Sequence, residues 1–202
     1  MKNEQIIVCA TKNKHKIEEM QDILGKYGIK LVSRDEAGVP PVEIIEDGET
    51  FEENSFKKAN EIMKLCNKPT MADDSGLMVD YLGGAPGVYS ARFAGEEGNY
   101  EKNNEKLLHL LEHVEKKQRN AKFVTVITLI FPDGEKIVAR GECKGRIISE
   151  PCGENGFGYD PIFLPEGMDK TFAQMSSEEK NSISHRALAL KELERLLDER
   201  DY

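Results

Sequence analysis

Residues 121–139, AKFVTVITLIFPDGEKIVA, carry the clearest strand-turn-strand signal in the chain. Residues 121–131 alternate and are rich in Val, Ile and Thr, residues 132–135 (PDGE) turn the chain, and residues 136–139 begin a return strand. A tight hairpin joins antiparallel neighbours, so a purely parallel sheet is excluded. Upstream, the apolar run 6–10 enters Thr11-Lys12-Asn13-Lys14-His15-Lys16, after which Ile17, Met20, Ile23 and Leu24 recur at helical spacing. That order is strand, turn, helix. The expected class is therefore α/β, with a mixed sheet flanked by helices.

The 202 residues suit a single domain over 1–202. An apolar share of 39% beside 32% charged residues is that of a soluble globular protein, and no apolar run approaches the roughly 20 residues of a membrane span. The N-terminal residues MKNEQIIVCAT read as a first strand and not a secretory signal, so a cytoplasmic protein is expected, without a membrane partner. Cys9, Cys66, Cys143 and Cys152 show neither a CxxC pair nor matching His spacing, which disfavours a zinc site or a disulfide framework. A net charge of -9 disfavours nucleic acid as partner.

Further strands and helices follow the same logic. A strand is expected near 30–33, while two prolines make 38–48 a loop or edge strand. Thr50 and Glu53 have the spacing of a capping box before a helix reaching Cys66, with Phe56, Ala59, Ile62, Met63 and Cys66 as its buried face. On that helix Lys57 and Lys58 read as surface lysines. Residues 99–117 form a second periodic helix with Leu107, Leu108, Leu110, Leu111 and Val114 apolar, and no chemistry is assigned to it.

Three stretches carry candidate chemistry. The basic turn at 11–16 either binds an anion at a helix N-terminus or is a capped turn with solvated lysines. In residues 71–92, MADDSGLMVDYLGGAPGVYSAR, an apolar approach ends in Asp73, Asp74, Ser75 and a glycine; with Glu46 these carboxylates suit a divalent ion such as Mg2+. The loop 153–163, GENGFGYDPIF, either stacks on a flat base or is a packed aromatic corner. Near the start of the final helix, His185 and Arg186 oppose the helix dipole unless an anion or an acceptor-rich ligand faces them. The sum points to a nucleoside polyphosphate, and hydrolysis is the economical reaction. There is no GxxxxGK[ST] motif.

Five stretches in this order resemble the inosine triphosphate pyrophosphatases, also called non-standard purine nucleoside triphosphate pyrophosphatases. They are Thr11-x-Asn13-x-x-Lys16, EDGETFEENSFKKA at 46–59, ADDSGLMVDYLGGAPGVYSAR at 72–92, GFGYDPIF at 156–163 and EEKNSISHRALAL at 178–190. The resemblance implies an elongated mixed sheet in two lobes with the active-site cleft between them, and a homodimer. It implies cleavage between the α and β phosphates of ITP, dITP or XTP, releasing monophosphate and pyrophosphate and so cleansing the nucleotide pool. Asp74 would be the catalytic carboxylate and share Mg2+ with Glu46, while Asp73 orders its neighbour. Thr11, Lys12, Asn13, Lys14, His15, Lys16, Lys58 and Ser75 would serve phosphates or ribose, which overrides the surface reading of Lys58. Phe157, Gly158, Tyr159, Asp160, Lys180, His185 and Arg186 would enclose the base. Lys12 departs from the family pattern, where a small residue often sits.

Base selection has a physical basis. Hypoxanthine and xanthine present an oxygen at position six where adenine has an amino group, so donors from Lys180, His185 or Arg186 would be left unpaired by adenine. The alternatives are a house-cleaning pyrophosphatase for modified pyrimidine nucleotides, a nucleotide-binding sensor without turnover, and a metal phosphoesterase acting on simple monoesters.

Overall fold

A computed structural model describes residues 5–199, so the ends of the expected 1–202 domain lie outside the described residues. Six strands form one sheet in the order β2-β1-β3-β4-β5-β6. Strand β1 (Gln5–Cys9) pairs in parallel with β2 (Ile29–Ser33) and β3 (Thr70–Val79), and β5 (Lys136–Ile147) pairs antiparallel with β6 (Phe163–Pro165). Between β4 (Asn120–Ile130) and β5 the expected turn closes, with the Phe131 N–H donating to the Glu135 carbonyl at 2.9 Å. The sheet is mixed, as the hairpin required. The helices are α1 (Lys14–Leu24), α2 (Phe51–Cys66), α3 (Tyr100–Leu110), α4 (Ser177–Ile183) and α5 (His185–Asp198). No described helix is long and apolar enough to cross a membrane.

The chain divides into two compact units. The first comprises Met1–Asp74, Thr125–Gly141 and Arg186–Tyr202. Here the strands are covered on both faces. Ile7, Cys9, Met71, Ile127 and Leu129 join Met20 and Leu24 of α1 and Leu190 and Leu193 of α5 in one core. Their strand neighbours Val8, Ala72 and Ile130 point the other way, onto Ala59 and Ile62 of α2. Double coverage is also why β4 is buried without interruption from Phe123 to Ile130, where simple alternation suggested one wet face.

Helix α2 begins with Thr50, whose side chain accepts the Glu53 N–H at 3.1 Å. The box is completed one residue early, because the Glu53 carboxylate takes the Glu49 N–H. The buried stripe also differs from the expected one. Phe56 is exposed, with Lys136 over its ring at 4.7 Å, and Met63 and Cys66 are only half-buried. Inward instead face Phe51, Asn54, Ser55, Lys58, Ala59 and Ile62, and Ser55 meets Thr128 of β4 through their hydroxyls at 2.8 Å. A stripe holding Asn, Ser and Lys is affordable only because each finds a buried partner.

The second unit comprises Ser75–Val124 and Glu142–His185. Leu77, Val79, Leu107, Leu111, Phe123, Tyr159, Phe163 and Phe172 dominate its core. Helix α3 stops at Leu110, which is exposed, earlier than the pattern to residue 117 implied; Leu107 and Leu111 carry the packing. Against β5, strand β6 lies so close that a Cβ on Gly145 would meet the Leu164 carbonyl oxygen at 2.4 Å and the Phe163 ring at 2.7 Å. Gly145→Ala should therefore destabilise by about 1–3 kcal/mol and lower the melting midpoint by roughly 2–4 °C per kcal/mol. A thermal melt at or above that of the parent protein would contradict this packing.

Candidate active site

The two adjacent carboxylates lie on β3, where successive side chains point to opposite faces of the sheet. Asp73 follows the direction of Met71, toward the α1 and α5 side, and Asp74 that of Ala72, toward α2. Their surroundings are consequently different.

Asp74 is gripped by two donors from one helix stripe. Asn54 Nδ2 donates to Asp74 Oδ2 at 3.2 Å, and Lys58, one turn further along α2, places Nζ 3.2 Å from Asp74 Oδ1. The same ammonium lies 2.8 Å from Glu46 Oε2, so Glu46 and Asp74 converge on one cationic point. Asn54 also takes the Gly48 N–H on Oδ1 at 2.8 Å and reaches back to the Gly48 carbonyl, which draws the 46–48 loop onto the helix. Burial pushes the Asp74 carboxyl above its ordinary value against the pull of Lys58 and Lys16, with Glu46 and Asp73 adding to the rise. Burial works against charge on Lys58 too, but Asp74, Asp73 and Glu46 outweigh it and keep the ammonium charged. Burial, with the neighbouring acids, thus outweighs the two lysines at Asp74.

Asp73 is fully buried and faces cations. Lys16 Nζ lies 2.8 Å from its Oδ2, and Arg186 NH2 lies 3.8 Å from the same oxygen. Burial would raise its carboxyl, yet Lys16, Arg186 and Lys58 together hold it well below the usual carboxylate range. Arg186, 1% exposed, also pairs with Glu19 of α1. These acids answer the dipole penalty expected for a cation at the start of α5. At the first turn Asn13 caps α1 by accepting the Lys16 N–H at 3.3 Å, and Thr11 Oγ1 takes the Asn13 N–H at 3.2 Å. The turn is capped, and Lys16 points inward to Asp73 instead of into solvent. Lys12, Lys14 and His15 are exposed.

A second cluster lies wholly in the second unit. Asp160 Oδ2 accepts the Phe157 N–H at 2.9 Å and pairs with Lys180 Nζ at 2.8 Å, both acid and base being buried. That ammonium sits 5.1 Å from the centre of the Phe157 ring and 5.6 Å from that of Phe172. His185 stacks on Phe123 with ring centres 4.6 Å apart. Gly156 cannot be replaced without disturbing this loop, since at φ +73 its Cβ would lie 2.1 Å from Asp160 Oδ2. The Gly158 carbonyl is held by Asn104 of α3 at 3.0 Å. Tyr159 is a packed corner residue: its ring is buried and its hydroxyl donates to the Ser90 carbonyl at 2.8 Å. Only Phe157, half-buried, keeps the character of a stacking ring.

Ser75 is half-buried and follows Asp74 on β3. The GGAPG stretch is architectural, as its backbone groups are consumed locally: the Gly84 N–H donates to the Val79 carbonyl and the Val79 N–H to that of Ala85. Asn54, Glu19 and Asn104 were not singled out from sequence. For Asn54 a signal existed, since it lies one helical turn before Lys58 and so shares its stripe.

Because the Asp73 carboxyl is depressed, the stability its ionisation brings is present above the ordinary value of 3.8 and is lost as pH falls below it. Asp73→Asn should cost about 3–5 kcal/mol near neutral pH, as expected for removing one partner of a buried charge cluster. Measured by denaturation without added divalent metal, the deficit should shrink toward pH 3; one that is independent of pH would rule out the charge explanation.

The chain is similar along most of its length to known proteins. The sequence model of the Ham1 family matches residues 7–196. The chain is 53% identical over 192 residues to a dITP/XTP pyrophosphatase of Clostridium perfringens, covering 92% of this chain and 94% of that one. It is 48% identical over 191 residues to a dITP/XTP pyrophosphatase of Bacillus subtilis, covering 95% and 96%. Among solved structures, the Staphylococcus aureus Ham1 protein superposes with a TM-score of 0.86 at 43% identity over 97% of this chain and 100% of that one. The Mycobacterium abscessus nucleoside-triphosphatase / dITP/XTP pyrophosphatase does so at 0.77 and 42%, over 94% and 98%. With a matched span that takes in both clusters, the chain belongs to the Ham1 family.

Proposed function

We propose that this protein hydrolyses non-standard purine nucleoside triphosphates, dITP, XTP and ITP, to the monophosphate and pyrophosphate. The observation that carries the reading is the convergence of Glu46 and Asp74 on one cationic point at Lys58. Family membership and the relatives' activity support it.

The donor set fits Mg2+, a hard ion that takes one or two carboxylates and completes its shell with water and phosphate oxygens. Glu46 and Asp74 would hold it. When bound, the ion neutralises phosphoryl charge and polarises the bond to be broken. Asp74 takes the proton from the attacking water. Lys58 and Lys16 donate to phosphate oxygens, exchanging a carboxylate partner for the substrate. Thr11, Asn13 and Ser75 would serve phosphates or ribose.

Base recognition falls to Phe157, Gly158, Asp160, Lys180 and His185, while Arg186, expected beside them, is buried against Asp73 and Glu19. Asp160 fixes the Lys180 ammonium, so a donor stands ready for the oxygen at position six. Adenine would set an amino donor against it where hypoxanthine or xanthine sets an acceptor. The same reading makes the protein a cytoplasmic homodimer that needs neither nucleic acid nor membrane; sedimentation velocity giving a monomer would remove the dimer from it.

The deciding measurement is the phosphate species released from dITP, XTP, ITP, GTP, ATP and dTTP side by side. Pyrophosphate is expected, fastest from the first three. Orthophosphate as product, or dTTP as the best substrate, would sink the proposal. Asp74→Asn should lower turnover at least about 100-fold with an unchanged circular-dichroism spectrum. A variant that retains a tenth of the activity would remove Asp74 from the role of base.

A further inference from the structure

The geometry points to Asn54 as a positioning residue that sets the plane of the Asp74 carboxylate and holds the Glu46 loop against it. This rests on the reading above for the role of Asp74, but its geometric grounds are independent. Asn54 is 2% exposed, and its side-chain amide is engaged on both sides. Oδ1 accepts the Gly48 N–H, while Nδ2 faces both Asp74 Oδ2 and the Gly48 carbonyl. A primary amide is the side chain with a neighbouring acceptor and two donors at this length.

The placement gives the bonds a purpose beyond packing. Asn54 and Lys58 project from one stripe of α2 and take one oxygen each of Asp74, so the carboxylate cannot rotate about its last bond without losing both. Each of the two also holds the acidic loop, Asn54 through Gly48 and Lys58 through Glu46. Helix α2 is thus a bracket that fixes the mutual position of the two carboxylates. Lys58 will exchange partners when phosphate arrives; Asn54, buried among backbone and carboxylate, keeps its bonds. The close approach has a cost recorded at Gly48, where a Cβ would lie 2.7 Å from Asn54 Oδ1 and 2.8 Å from Glu53 Cβ. Aspartate at position 54 would preserve shape but set a carboxylate oxygen against Asp74 Oδ2, replacing a donor by a repulsive acceptor.

The test uses the full chain with Asn54→Ala and Asn54→Asp. For each, kcat and KM are measured on the best substrate of the parent, and Mn2+ binding is followed by loss of the free-ion electron paramagnetic resonance signal without nucleotide. A partner that orients a metal-binding group is expected to matter by about 10–100-fold in affinity or activity. Asn54→Ala should therefore lower kcat roughly 10–100-fold with KM within about threefold, and weaken Mn2+ binding about tenfold or more. Asn54→Asp should fold like the parent and still lose kcat. Parent-like kcat and Mn2+ affinity in either folded variant overturns the proposal. If the parent releases no pyrophosphate from any nucleotide, the activity reading fails while Mn2+ binding still decides the bracket. Should Asn54→Ala not fold, Asn54→Asp decides by the same two readouts.

Discussion

The pleat of β3 is the constraint on which the site depends. Two acids in sequence look like a pair, yet on an extended strand they must leave the backbone in opposite directions. Because the first unit has a packed layer on each face of its strands, each direction leads to a different set of helices. Asp73 meets the cations of α1 and α5, and Asp74 meets the amide and ammonium of α2. One covalent fact thus produces two electrostatic environments, one that favours the anion and one that favours the proton.

That separation explains how so many charges can be buried. An isolated ion in a protein interior is costly, and a buried pair is only weak evidence of net stabilisation. Here the arrangement is one of shared partners: Lys58 between Glu46 and Asp74, and Arg186 between Glu19 and Asp73. Shared partners can be given up to a substrate without leaving a side chain stranded. A polyphosphate brings the negative charge that Lys16 and Lys58 would otherwise lose, which suits such clusters better to binding than to pure support.

The cluster at Asp160 follows a different principle. Its acid is occupied by a backbone N–H and by Lys180, and its ammonium is bordered by two aromatic faces. Such a cation is held in place and partly desolvated, which raises the cost of setting another donor against it. Glycine at 156 permits the approach, and Tyr159, tied to Ser90, supplies a fixed wall.

From sequence alone came the mixed sheet, a capped turn as one of two readings of 11–16, the helix starting at Thr50 and the candidacy of Glu46 and Asp74, with that of Lys58, Asp160 and Lys180 implied by the family resemblance. All of these rest on local periodicity, turn chemistry or quoted motifs. What only the tertiary structure decided was partnership. That Phe56 faces solvent while Asn54 is buried depends on what covers α2, and hydrophobicity ranks the two residues the opposite way. That Tyr159 is packed, that Glu19 answers Arg186, and that Asn54 holds Gly48 and Asp74 together all join residues distant in the chain. A pattern of side chains specifies which groups prefer burial; the distance and direction between two buried groups exist only after the layers have packed.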